Sequence, residues 1–159
     1  NVYSPKGEWK FTFGGKGKEP GQLDCPHGIA IDTRWKEPRV LVADRTNRRL
    51  QYFSLEGKHQ GFSGQGDVKL PCHFDQRKGL LLIPDLEARV SLFDSSDRLV
   101  AHLGEDDTNT WSNLRKEARE KFKPGKFICP HGACFDKEGN IFVVEWVEVG
   151  RVTKLRRVS

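Results

Sequence analysis

The chain has 159 residues, a net charge of +5, a hydrophobic share of 36% and a mean hydropathy of −0.64. That length allows one domain with a sizeable core, and no apolar run is long enough to span a membrane, which predicts a soluble protein. Four cysteines without a CxxC pair exclude a disulfide-rich scaffold and argue against a zinc site built from cysteine alone.

Methionine is absent even from position 1, so the expectation is that a segment has been removed from the N-terminus, as a cleaved signal peptide would be, or precedes this sequence, and the compartment is not legible. Basic residues are interleaved with acids except in the dense stretch Arg151 to Arg157. This permits an anionic partner such as nucleic acid, but reads first as a solvated surface.

Sixteen Gly and eight Pro, with few helical periodicities, point to strands joined by tight turns. The first predicted element is a turn at Pro5-Lys6-Gly7-Glu8, followed by an alternating strand at 9–13. From there a unit repeats. Cys25-Pro26-His27-Gly28 opens it, and Val40-Leu41-Val42-Ala43-Asp44 and Arg49-Leu50-Gln51-Tyr52-Phe53 follow, then a turn and a strand ending at Phe62. The second unit runs through Leu70-Pro71-Cys72-His73, Leu80 to Asp85, Arg89 to Phe93 and Leu99 to Leu103. The third has Cys129-Pro130-His131-Gly132, Ile141 to Glu145 and Arg151 to Leu155.

Four short strands joined by turns make one propeller blade. The predicted fold class is therefore all-β, a β-propeller with blades at residues 21–64, 67–104 and 127–159. Residues 105–126 interrupt the repeat. There Asp107-Thr108-Asn109-Thr110 reads as a cap, and Trp111 to Phe122 as a short amphipathic helix near a binding face.

Known rings have about four to eight blades, and an open half exposes apolar faces and strand edges. The third unit shows no fourth strand, while residues 1–15 carry one of the fourth-strand type. The expectation is a six-bladed ring closed by homodimerisation, each N-terminal strand completing the last blade of the other copy. A piece of a longer propeller is the alternative.

The chemistry-bearing residues recur with the repeat. His27, His73 and His131 are expected at one level of the central channel, His27 and His131 from one copy joining His73 from the other. Three imidazoles with an open fourth position suit Zn²⁺, with Fe²⁺ the other metal weighed, and a structural role in the turn is the competing reading. Cys25, Cys72 and Cys129 beside them read as apolar filler more readily than as ligands. Asp44, Asp85 and Glu145 end the second strands, Asp44 joining the catalytic set while Asp85 and Glu145 line the channel. Arg45 is the cation the repeat does not require, suited to hold a carboxylate or a developing oxyanion.

Gln22-Leu23 before Pro26-His27-Gly28, with the apolar-Asp and Arg-apolar strands, resembles the NHL repeat over nearly the whole chain. Within that class, residues 26–31 and 42–53 are similar to the metal-ligand and catalytic-arginine stretches of the peptidyl-α-hydroxyglycine α-amidating lyases. The resemblance implies zinc held by three His, a structural Ca²⁺, and cleavage of a carbinolamide to an amide and glyoxylate. It implies His27, His73 and His131 as ligands and Arg45 as the charge-stabilising group. The channel tyrosine of that family has no counterpart, since its positions hold Thr46, Glu87 and Val147. Glu87 or a metal-activated water is the substitute base. Two functions follow as expectations: a metal-dependent lyase for a small peptide-like or carboxylate-bearing substrate, or an NHL-type interaction module for protein or nucleic acid.

Overall fold

The computed structural model describes residues 1–106 and 111–158. Their strands form four antiparallel sheets. Blade one contains β3 (Pro26–Asp32), β4 (Arg39–Asp44), β5 (Arg49–Phe53) and β6 (His59–Ser63), paired in that order. Blade two contains β7 (Asp75–Arg77), β8 (Leu80–Asp85), β9 (Arg89–Phe93) and β10 (Leu99–Leu103). Blade three has β11 (Pro130–Phe135), β12 (Ile141–Glu145) and β13 (Arg151–Leu155). No helix among the described residues is long and apolar enough to cross a membrane.

The second strand of a blade is apolar on both sides because it packs between two neighbours. In β8, Leu81 and Ile83 face blade one, where with Phe93 of their own blade they meet Leu41, Ala43, Leu50 and Tyr52. Leu82 faces the other way, towards Ala133, Ile141 and Val143 of blade three. Successive strand residues point to opposite faces, so a continuous apolar run is what two seams require.

Polar links cross the same seams, and they are concentrated on the three-residue β7. Gln76 points to blade one, its Nε2 donating to the Ile31 carbonyl at 2.9 Å while its Oε1 accepts from the Thr33 N–H at 3.0 Å. Asp75 and Arg77, one residue to either side, point to blade three. Asp75 accepts the Phe135 N–H, and Arg77 donates to the Asp136 and Lys137 carbonyls.

A third linkage lies near the outer edge. Arg34 is buried and donates to both carboxylate oxygens of Asp32. It also reaches Asp97 Oδ1 at 2.7 Å and the Asp94 carbonyl at 2.6 Å, both in blade two, and the Tyr52 hydroxyl at 3.0 Å. Burial alone would raise the Asp32 carboxyl, but the Arg34 hydrogen bonds and charge outweigh it and hold it below its ordinary value.

The N-terminal segment differs from expectation. β1 (Val2–Tyr3) and β2 (Trp9–Phe11) pair with each other as a hairpin, where the repeat led one to expect a single fourth strand. Its turn repeats that of the full blades. Ser4 N–H donates to the Glu8 carbonyl as Ser54 does to Lys58 and Asp94 to Arg98. The hairpin is thus built like the outer two strands of a blade. Behind it, Phe13 covers part of blade one's free face, packing on Phe53, Val40 and Val42 together with Leu23.

The interrupting segment is also shorter in helix than its periodicity implied. It holds α1 (Trp111–Leu114) and a 3₁₀ turn (Arg119–Lys121), while the expected cap at 107–110 lies outside the described residues. The apolar spacing is still used: Leu114 and Phe122 pack against Leu86, Ile128, Cys129 and Val147. Arg115 donates to the Trp146 carbonyl and Arg119 to those of Val149 and Gly150, which clips the segment to the β12–β13 turn.

Candidate metal centre

In each blade a proline, at the start of the first strand in blades one and three and ahead of it in blade two, bridges to the carboxylate residue ending the second strand. The pairs are Pro26 with Asp44, Pro71 with Asp85 and Pro130 with Glu145. Counting from those prolines corrects the expected alignment of the histidines. His27 and His131 follow their prolines directly, but in blade two that place belongs to Cys72. His73 stands one residue further on, in the position of Gly28 and Gly132. A one-residue offset moves a side chain to the other face of its strand. His73 accordingly lines an exposed apolar groove with Gly132, Val144 and Val152.

The three equivalent positions converge. One potential ligand atom each from His27, Cys72 and His131 lies within 4.8 Å of the others, and this is the one such grouping of three donors among the described residues. The rings of His27 and His131, from alternate blades, stand edge to face with centroids 4.8 Å apart. His27 Nδ1 lies 2.8 Å from the Cys72 carbonyl oxygen. That carbonyl can only accept, so Nδ1 carries the proton and Nε2 is the free ligand atom. Gly28 makes the contact feasible, because a Cβ there would come within 2.7 Å of the same carbonyl.

The local electrostatics favour the neutral form of His131. Burial first, then the nearby His27, Arg45 and His73, hold its imidazole below its ordinary value. Neutral imidazole is the form that ligates a metal. Cys72 is buried, and that burial pushes its thiol up to about 11 against the opposing pull of Arg45. The Arg45 guanidinium lies between two thiols, 3.4 Å from Cys25 Sγ and 4.0 Å from Cys72 Sγ. On the far side the Trp146 ring is 6.1 Å from that of His131, with Arg115 stacked 3.3 Å above the indole.

The recurring carboxylates have a different task from the one expected. Asp85 and Glu145, expected to line the channel, are buried, and so is Asp44 of the expected catalytic set. Asp44 accepts the Asp24 N–H and pairs with Arg49 at 2.7 Å. Asp85 accepts the N–H groups of Lys69 and Leu70. Glu145 accepts those of Ile128 and Cys129 and pairs with Arg151. In every blade the carboxylate therefore tethers the backbone just before the Pro-His or Pro-Cys step. Buried N–H groups at a strand entrance need an acceptor, and the carboxylate supplies it. Glu87 is in an ion pair with the exposed Arg48 at 3.0 Å.

No family model matches the chain. It is 28% identical over 151 residues to Protein brain tumor of Drosophila melanogaster, covering 91% of this chain and 13% of that protein. It is 47% identical over 47 residues to Protein lin-41 of Caenorhabditis elegans, covering 30% of this chain and 4% of that protein. The chain thus spans a small part of the curated relatives it matches. Among solved structures it superimposes on selenomethionine-substituted virginiamycin B lyase from Staphylococcus aureus with a TM-score of 0.54 at 12% identity, covering 98% of this chain and 47% of that one. With NHL-repeat proteins among the relatives it is similar to and a β-propeller as a structural neighbour, the chain has a propeller-like fold.

Proposed function

We propose that these blades carry a transition-metal centre, Zn²⁺ or Fe²⁺, with His27 and His131 as ligands, and that it serves a lyase resembling the α-amidating type. The observation that carries the reading is the meeting of two imidazoles from alternate blades, one of them oriented by a backbone carbonyl. A hydrogen bond from the other ring nitrogen to a backbone carbonyl is the usual accompaniment of a metal-ligating His. A metal held there would supply Lewis-acid polarisation of a substrate oxygen.

The protein's own part is binding and charge. Arg45, beside the cluster, is suited to hold a carboxylate-bearing or peptide-like substrate by its guanidinium. In a carbinolamide the hydroxyl loses its proton, the C–N bond breaks as the carbonyl forms, and the departing amide nitrogen is protonated. Tyr52 is buried against Asp32 and Asp97, which leaves it out of any channel. Glu87, paired with Arg48, is the carboxylate proposed as base.

His131→Ala should weaken Zn²⁺ binding, read by titration calorimetry, by more than the roughly 10–100-fold that loss of an outer-shell partner costs. Release of glyoxylate from a carbinolamide substrate should be lost in His131→Ala and in Arg45→Ala. Zinc affinity unchanged in His131→Ala would sink the reading.

Ring closure belongs to the same proposal. Ile29 and Ile31 on blade one and Val144 and Val152 on blade three are exposed, so both end faces call for further blades. A second copy is one source. The hairpin, however, brings two strands where blade three lacks one. Light scattering at twice the 18.1 kDa chain mass would support the homodimer, and a monomer would exclude it.

The second reading is an interaction module. It is favoured by the net charge and by β13 and its continuation, where Lys154, Arg156 and Arg157 stand along a sheet edge. Steeply salt-dependent RNA binding that survives His131→Ala would move the assignment to it.

A further inference from the structure

Resting on the metal reading above, we infer that Cys72 is the third protein ligand, so that the centre is of the two-imidazole, one-thiolate kind. Three lines of geometry lead there. Cys72 occupies in blade two the position that His27 and His131 occupy in blades one and three, as fixed by the proline bridges to Asp44, Asp85 and Glu145. Its sulfur lies within 4.8 Å of a ligand nitrogen on both histidines, whereas His73 has no part in that grouping. Its backbone is tied to the site as well, since its carbonyl holds His27 Nδ1.

The distances suit a site that closes on its ion. Zinc bonds of about 2.3 Å to sulfur and about 2.0 Å to nitrogen put tetrahedral ligand atoms about 3.5 Å apart. Side-chain rotation of about 1 Å from the present spacing reaches that. On binding, the S–H bond breaks, the metal–sulfur bond forms and the proton passes to solvent. The Arg45 guanidinium, 4.0 Å from the sulfur, offsets the thiolate charge. Two imidazoles and a thiolate select soft or borderline ions over Mg²⁺ or Ca²⁺ and leave a fourth position open.

Co²⁺ alone is the probe, because a cobalt–thiolate bond gives a near-ultraviolet charge-transfer band that imidazole and oxygen ligands do not. The wild-type chain should show the band at one equivalent of Co²⁺. Cys72→Ala should lose it while retaining weaker binding through the histidines. Cys25→Ala and His73→Ala should keep it. Cys72→Ser, closer in volume, serves the same purpose if the alanine variant fails to fold by circular dichroism. Co²⁺ bound by the wild-type without the band, or a band that persists in Cys72→Ala, overturns the thiolate ligand and leaves a two-histidine centre standing. Absence of any Co²⁺ or Zn²⁺ binding by the wild-type removes the metal reading itself, and this ligand with it.

Discussion

Arg34→Ala should lower the unfolding free energy by about 3–5 kcal/mol near neutral pH, the cost of stranding a buried charge. Asp32 is fully buried and Asp97 partly so, and the guanidinium is their shared counter-ion. Alanine leaves both carboxylates facing each other across the seam, with the Tyr52 hydroxyl and, for Asp32, the residue-34 N–H as donors. The loss should appear in urea unfolding as a shifted midpoint with an unchanged slope.

The effect should also depend on pH. In the wild-type the Asp32 carboxyl is held below its ordinary value of 3.8. Its contribution to stability is complete above that value and disappears as pH falls through the lowered one. The variant lacks this contribution at every pH. The two unfolding midpoints should therefore be farthest apart near neutrality and converge in acid. A gap independent of pH would show that Arg34 acts through packing and not through charge.

The second large effect is expected at Gly28. Gly28→Ala puts a Cβ 2.7 Å from the Cys72 carbonyl oxygen and 3.1 Å from His73 Cα, both backbone atoms that cannot swing aside. Relief requires blades one and two to separate at this point, which takes the Cys72 carbonyl away from His27 Nδ1. Zinc affinity should fall roughly 10–100-fold with loss of that orienting contact, and stability by about 1–3 kcal/mol from the overpacking. Gly132→Ala provides the contrast. Its Cβ would meet the Val144 Cγ1 at 3.0 Å, a methyl on an exposed side chain that can turn away. Equal losses in the two variants would show that the close approach at Gly28 has no special part in the centre.

Much of the fold was legible because blades write their own period into the sequence. The runs at β4 and β8 are apolar throughout, which two packed faces demand, and the Arg-led strands recur beside them. The candidate site was legible in part. His27 and His131 stand out as repeated Pro-His-Gly, and the structure brings them together. Blade two misled because matching histidine to histidine is natural when residues carry the chemistry. The register is set by the backbone bridge at the preceding proline, and on that count Cys72 is the match. The prolines were visible in the sequence; what pairs with them was not. The carboxylates were seen to recur, but whether they face a channel or a buried N–H depends on a loop conformation that spacing does not specify. Arg34 could not have been found this way, since its partner Asp97 lies 63 residues away in another blade.

The repeat also hides an asymmetry that matters to anyone rearranging these units. β7 is addressed differently to its two sides, offering an amide to one neighbour and a carboxylate with a guanidinium to the other. A blade cut out and placed in a different order would meet the wrong handshake on each flank. Deleting one residue just ahead of β7 would turn each of its side chains towards the opposite neighbour. Modules that look interchangeable in outline thus carry a direction, and a symmetric ring made from copies of blade two would need both flanks rewritten before it could close.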